Sequence, residues 1–259
     1  MKSIRQYSGR LTVAQIAAGM NHCRSNAERL LASAKALYAV GDYALVASLA
    51  VLAIEEAGKV AILRRMVTAL DEQDVKECWK EFRSHCWKNG LAHVPVCVKP
   101  NLRLEDFNIA VGKNKENNRI DDLKQIGFYV DCVGNADWMS PMAAIPEPVA
   151  AKVLAIAGIV CKSDRPITVR ELELWKETVG SCPHGTMLEM KEKLVLWRHR
   201  MEGEGLKKPD PGFEKFVMGG LEVSDIVGHE IPDCALSRMR NELSVDKIWE
   251  LICCLGKQE

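Results

Sequence analysis

The sequence has no net charge to speak of: 35 lysines and arginines stand against 35 aspartates and glutamates. No global field therefore draws the chain to nucleic acid or to an anionic membrane, although a local basic patch stays compatible with a zero sum. It also lacks an apolar run of the roughly 18–20 residues a membrane span needs. Val40 to Leu63 comes closest, and Asp42, Glu55, Glu56 and Lys59 interrupt it. The first residues, Met1-Lys2-Ser3-Ile4-Arg5-Gln6-Tyr7, hold no apolar segment of the kind a secretory leader requires, so no leader is expected. No CxxC pair occurs among the 10 cysteines. Cys78, Cys86, Cys161 and Cys253 fall within apolar helical patterns, which points to buried, reduced thiols and a cytoplasmic location. Cys182-Pro183-His184 offers two metal donors where a structural zinc site needs four ligands. No Glu-x-x-His pair of the helical di-metal type is present, so a metal-dependent hydrolase is the weakest enzymatic reading. Internal repeats and low-complexity tracts are absent as well.

What is present is helical periodicity. Ile16, Met20, Cys23, Ala27, Leu30, Leu31, Ala34 and Leu37 recur at helical spacing, predicting a helix over 12–39 with Thr12 at its start. Gly41-Asp42 breaks the pattern as a short helix–helix turn. A second helix is predicted from Tyr43 to about Leu70, apolar nearly all round until Glu55, as befits the central helix of a bundle. A third follows Asp71 and carries Val75, Cys78, Trp79, Phe82 and Cys86 to a stop at Asn89-Gly90. Residues 91–118 read as a long loop with short extended pieces at 94–98, and 119–127 as a short helix. Pro146-Glu147-Pro148 opens an apolar helix ending near Val160. Thr168-Val169-Arg170-Glu171 fits a capping box. Helices are predicted at 168–179, 185–202 and 233–255, with a linker at Gly203–Gly212. The fold class expected is predominantly all-α, divided into a helical domain over 12–162 and a C-terminal helical region over 163–259.

The chemistry concentrates on the second helix. Glu55, Glu56 and Lys59 lie among apolar neighbours, where a carboxylate needs a partner. Glu55 and Lys59 stand i,i+4 in the favoured order and are expected to pair. Glu56 then needs a cation or donor from elsewhere, and Arg83, His85 and Lys88 of the third helix are the candidates. An antiparallel arrangement of the second and third helices would let Glu56 meet His85. Carboxylates, lysine and histidine together support acid–base chemistry on a phosphodiester: imidazole moves protons near neutral pH and lysine stabilises phosphorane charge. The same set serves equally as an internal ion-pair network that orients helices. His22, His93, His184, His199 and His229 are scattered and read as surface or packing residues, and Arg198-His199-Arg200 and Arg238-Met239-Arg240-Asn241 as helix surface. Tyr129 and Asp131 are placed where they could reach the site.

Several stretches together resemble the AbiV-type abortive-infection proteins of the HEPN superfamily, over roughly residues 20–160. They are Asn26–Leu31, Leu37-Tyr38 with Gly41-Asp42-Tyr43, and Leu49–Lys59 with its Glu-Glu-Ala-Gly-Lys core. His85 with Lys88, and Lys124-Gln125-Ile126-Gly127-Phe128-Tyr129-Val130-Asp131, complete the pattern. The resemblance implies a HEPN-like helical bundle and a bacterial phage-defence effector that arrests the infected cell by acting on RNA or translation. It implies a metal-independent ribonuclease without cofactor, working as a homodimer with a composite site. Glu55, Glu56, Lys59, His85 and Lys88 would be the catalytic set, and Tyr129, Asp131 and Arg83 the binding set. RNA, the translation machinery or a phage-encoded protein would be the partner, and no membrane. The usual HEPN signature, an Arg, a polar residue and a His some five to seven positions after the Arg, is not met. Arg83 precedes His85 by only two positions, and no histidine follows Arg240-Asn241. A non-enzymatic protein that binds a phage or host protein and blocks translation by occupancy is therefore the alternative reading. The resemblance does not extend to residues 163–259.

Overall fold

The computed structural model describes residues 6–88, 115–133, 136–162, 165–181 and 186–219. Its elements are α1 (Val13–Ala39), α2 (Tyr43–Met66), α3 (Glu72–Arg83), α4 (His85–Lys88), α5 (Lys115–Phe128), β1 (Asp131–Val133), β2 (Asp137–Met139), α6 (Pro141–Ala144), α7 (Glu147–Val160), α8 (Val169–Thr178), α9 (Met187–Gly203) and α10 (Pro211–Gly219). A 3₁₀ turn, Val179–Ser181, follows α8. The predominantly helical class holds: among the described residues, the one sheet is an antiparallel pair that sets Asp131 opposite Met139 and Cys132 opposite Trp138.

Local chemistry sets the ends of the first hairpin. Thr12 accepts from the Gln15 amide, and the Gln15 side chain reaches back to the Thr12 amide, so α1 starts with a complete capping box. Gly41 takes a left-handed φ of 79° in the turn, and the Asp42 carboxylate then caps α2 through the Leu45 amide. The two helices run antiparallel. Late α1 residues Ala27 and Leu31 pack with early α2 residues such as Ala44 and Val51, while early α1 residues Ile16 and Met20 pack with Ile62, Leu63 and Met66.

Helix α2 is central, touching α1, α3, α4, α5 and α7. That explains its lack of a polar face: small and branched apolar residues are buried from Ala44 to Met66. Two of its neighbours approach at glycines. A Cβ on Gly58 would lie 2.2 Å from the Lys88 carbonyl oxygen, so only glycine lets α4 lie against α2 here. A Cβ on Gly127 would lie 2.2 Å from Ser48 Oγ and 2.6 Å from the Ala44 carbonyl oxygen, so Gly127 lets α5 close on α2.

Beyond residue 162, α8 is fastened onto the first hairpin. The Asn21 side chain donates to the Ile167 carbonyl at 2.8 Å and accepts the Ile167 amide at 2.9 Å. Leu172 joins the apolar cluster of Ile16, Met20 and Met66. Thr168 caps α8 through the Glu171 amide, but the return half of the expected capping box is missing. The Glu171 carboxylate is drawn instead to Arg64 at 2.9 Å. The Arg64 guanidinium in turn lies 5.5 Å and 5.2 Å from the rings of Trp175 and Trp197.

Several expected boundaries move. The second helix ends at Met66 rather than near Leu70. The third does not continue to Asn89-Gly90: Ser84 is extended (φ −83°, ψ 125°) and separates α3 from α4. This break re-aims His85, as shown below. Helix α5 begins at Lys115, inside the segment read as loop, and the β1–β2 pair was not anticipated. The extended pieces at 94–98, Cys182-Pro183-His184 and the helix at 233–255 lie outside the described residues. Among the described residues no helix is long and apolar enough to cross a membrane.

Candidate functional site

Glu55 sits midway along α2 and is 2% exposed. Its carboxylate is matched by groups from two other helices. Lys124 Nζ of α5 lies 2.7 Å from Oε1, while His85 Nδ1 and Lys88 Nζ of α4 lie 2.7 Å and 3.4 Å from Oε2. Asp121, one turn before Lys124 on α5, adds a second carboxylate 2.5 Å from Lys124 Nζ. The two glycine contacts described above bring these helices close enough. Ser48 Oγ donates to the Lys124 carbonyl at 3.0 Å and fixes α5 beside α2.

The expected pairing is thus reversed. Glu55 does not pair with Lys59; it takes His85 and both buried lysines. Glu56 does not meet His85; it pairs with Lys59 at 2.5 Å, i,i+3 along its own helix. The reason is rotational. Successive residues turn by roughly 100° about a helix axis. With Glu55 aimed at α4 and α5, Glu56 points elsewhere, where its charge acts on Cys23 of α1 and Lys59 lies 5.1 Å from the Phe82 ring of α3.

The cluster has a closed side and an open side. The side chains of Glu55, Lys124 and Lys88 are 3%, 5% and 6% exposed, whereas that of His85 is 51% exposed. A 2.7 Å contact between an imidazole nitrogen and a carboxylate oxygen requires a proton between them, so Nδ1–H donates to Glu55. Nε2 is then the nitrogen left to meet a ligand. Burial holds the Lys88 amine below its ordinary pKa, with Glu55 opposing the shift. For Lys124 burial also pushes downward, but its bonds to Asp121 and Glu55 outweigh it and the net shift is upward. The arrangement can transfer a proton at His85 and present positive charge behind it.

The structure does not bring the other expected residues to this cluster. Arg83 donates to the Tyr7 carbonyl at 2.5 Å and lies over the Trp79 ring at 5.1 Å, which commits it to the N-terminal segment. Tyr129 is 62% exposed beyond the end of α5, and the Asp131 carboxylate receives the Cys132 amide at 2.8 Å. Lys124 and Asp121 are the members that sequence reasoning missed. The available signal was an Asp–Lys pair at i,i+3 just before Gly127, a glycine that marks close approach.

Cys23 packs near Glu56, Lys59 and Lys88, and burial, reinforced by Glu56, pushes its thiol up to about 11. Burial likewise pushes Cys161 up to about 12. The folded protein therefore holds these protons after the unfolded chain has lost them, so stability falls as pH rises past about 9. Each thiol contributes about 1.4 kcal/mol per pH unit, until pH 11 for Cys23 and pH 12 for Cys161. Urea unfolding at pH 8 and pH 10 should show a drop of about 2–3 kcal/mol that the double variant Cys23→Ala, Cys161→Ala largely removes. An equal drop in that variant would refute the assignment.

The HEPN_AbiV family model, described as AbiV, matches residues 15–162, more than half of the chain and all of α2, α4 and α5. No curated protein and no solved structure matches.

Proposed function

The chain belongs to the AbiV family of HEPN proteins and so to abortive-infection phage defence; from that premise we propose that it arrests the infected cell by acting on RNA, with His85 as the working group. The observation that carries this reading is the asymmetry of the Glu55 cluster. A buried carboxylate orients an imidazole through Nδ1 and leaves the half-exposed ring to offer Nε2. This is how a proton-transfer histidine is held. Nε2 would take the proton of a ribose 2′-hydroxyl, whose oxygen attacks the adjacent phosphorus. The 5′-oxygen leaves with a proton supplied by a second group, which a second copy of the chain could bring across a two-fold axis. Lys88 and Lys124 supply positive charge behind the imidazole as negative charge grows on the phosphorane. The function is exercised in the cytoplasm, where phage and host RNA are found.

A second reading also has an observation in its favour. Glu55, Lys88 and Lys124 are closed to solvent and satisfied by one another, as a structural network would be. On that reading the protein blocks translation by occupying a phage or host protein. One comparison separates the two. Infected cells carrying wild type or His85→Ala are sampled for RNA integrity alongside survival of the phage. On the RNA reading, wild type fragments RNA and His85→Ala leaves it intact, with protection lost. Protection with intact RNA in wild type would favour occupancy.

A further inference from the structure

Three potential metal ligands converge at the centre of this cluster. A ring nitrogen of His85 and one carboxylate oxygen each from Glu55 and Asp121 lie within 4.8 Å of one another. Imidazole and carboxylate donors at that spacing suit a small divalent cation. The middle of the set is already taken. Lys124 Nζ lies 2.7 Å from Glu55 Oε1, 2.5 Å from Asp121 Oδ1 and 3.2 Å from His85 Nδ1. A single ammonium therefore touches all three groups. Asp121 Oδ1 is buried and accepts no hydrogen bond of normal geometry, so the ammonium charge is what balances it. Lys124 has little freedom to leave, because its side chain is 5% exposed and its helix is anchored through Ser48 and Gly127.

We propose that Lys124 is a built-in cation: its ammonium occupies the position a divalent ion would take, keeps the Glu55–Asp121–His85 set metal-free, and positions His85. The last clause rests on the reading of His85 as the working group; the first two do not. The physical difference between the two cations is coordination. An ammonium shares the charge of both carboxylates and leaves Nδ1–H donating to Glu55. A divalent ion at the same point would bind the Nδ1 lone pair, displace that proton, and turn His85 from a proton carrier into a ligand. Lys124 is thus a positioning residue, and Asp121 holds Lys124 in place.

The test is Mn²⁺ titration of the purified full chain, followed by the electron paramagnetic resonance signal of free Mn²⁺. Manganese suits carboxylate and imidazole and is a poor ion for the 10 cysteines. Wild type should show no site that depends on Glu55 or Asp121. Lys124→Ala should gain a site at least about tenfold tighter than any in wild type, since it removes a unit positive charge a few ångströms from the ion and also empties the space the ion would take. Lys124→Met, which keeps the volume filled, should gain none. Adding Asp121→Asn to Lys124→Ala should cancel the gain. ¹⁵N shifts of the His85 imidazole should report a proton on Nδ1 in wild type, and loss of that signature when Lys124→Ala is loaded with Mn²⁺. A wild-type Mn²⁺ site abolished by Asp121→Asn overturns the proposal, and this arm needs no change at Lys124. So does a Lys124→Ala protein with a native thermal melt and no new site; Lys124→Ser takes its place where alanine does not fold. Full protection by His85→Ala would sink the RNA reading and leave the Mn²⁺ result standing, so the two failures are distinguishable.

Discussion

Replacing Glu55 with alanine should cost about 3–5 kcal/mol of folding stability, the range found when one partner of a buried ion pair is removed. The reason is what stays behind. Lys124 and Lys88, almost fully buried, would keep their ammonium groups with Asp121 as the one carboxylate among the described residues paired with Lys124, and the Nδ1–H of His85 would lose its acceptor. Glu55→Gln should fall between wild type and alanine, because the amide oxygen can still accept one hydrogen bond while the charge is gone. Glu56→Gln should cost less than about 1 kcal/mol, since Glu56 is partly exposed and its partner Lys59 lies on the same helix. Urea unfolding of the three variants at one pH decides the matter. Equal losses for Glu55→Gln and Glu56→Gln would mean that the two carboxylates are not distinguished as the contacts of α2 require.

Gly58→Ala should disable the site more than it destabilises the chain. Alanine is favoured over glycine within a helix by about 1 kcal/mol, which acts in the variant's favour. Against this stands a methyl group 2.2 Å from the Lys88 carbonyl oxygen, an atom of the backbone that cannot rotate away. Overpacking of this kind costs about 1–3 kcal/mol, so the net change should be a loss of about 0–2 kcal/mol. Relief requires α4 to move off α2, and α4 carries both His85 and Lys88. Protection against phage should therefore be lost even where the protein stays folded. Gly158→Ala is the control. A Cβ there meets nothing within 4 Å, and the variant should gain about 0.5–1 kcal/mol with protection intact. Wild-type protection by Gly58→Ala would show that the seating of α4 does not matter.

The helical class and the central place of α2 were legible because they depend on periodicity and on local chemistry. Thr12, Gly41 and Asp42 act through hydrogen bonds and a left-handed φ within their own turns, so their roles could be read directly. The pairing at the site was not legible. Lys59 can reach Glu55 at i,i+4 or Glu56 at i,i+3, and the choice depends on how far α2 is rotated against α4 and α5. Nothing within α2 records that rotation. His85 was singled out but given the wrong carboxylate, because the break at Ser84 is set by tertiary contacts and not by a proline or glycine. Nothing in the short helix predicted at 119–127 marks Lys124 and Asp121 as site residues. Lys124 is buried and Asp121 half-buried because Gly127 and Ser48 draw α5 onto α2, a contact between residues 76 apart in sequence at Ser48 and Lys124. The β1–β2 pair left little trace in the sequence, because each strand is only three residues long.

On the proposed reading, the half-exposed imidazole held by Glu55 is the working group of this phage-defence protein. The most direct measurement is the efficiency of phage plating on cells producing wild type or His85→Ala at equal levels, with thermal melts of both purified proteins alongside. Loss of protection in His85→Ala with a melt close to wild type is the expected result, since that side chain is half exposed and contributes little packing. Undiminished protection by folded His85→Ala would contradict the claim and leave the Glu55 cluster as scaffolding.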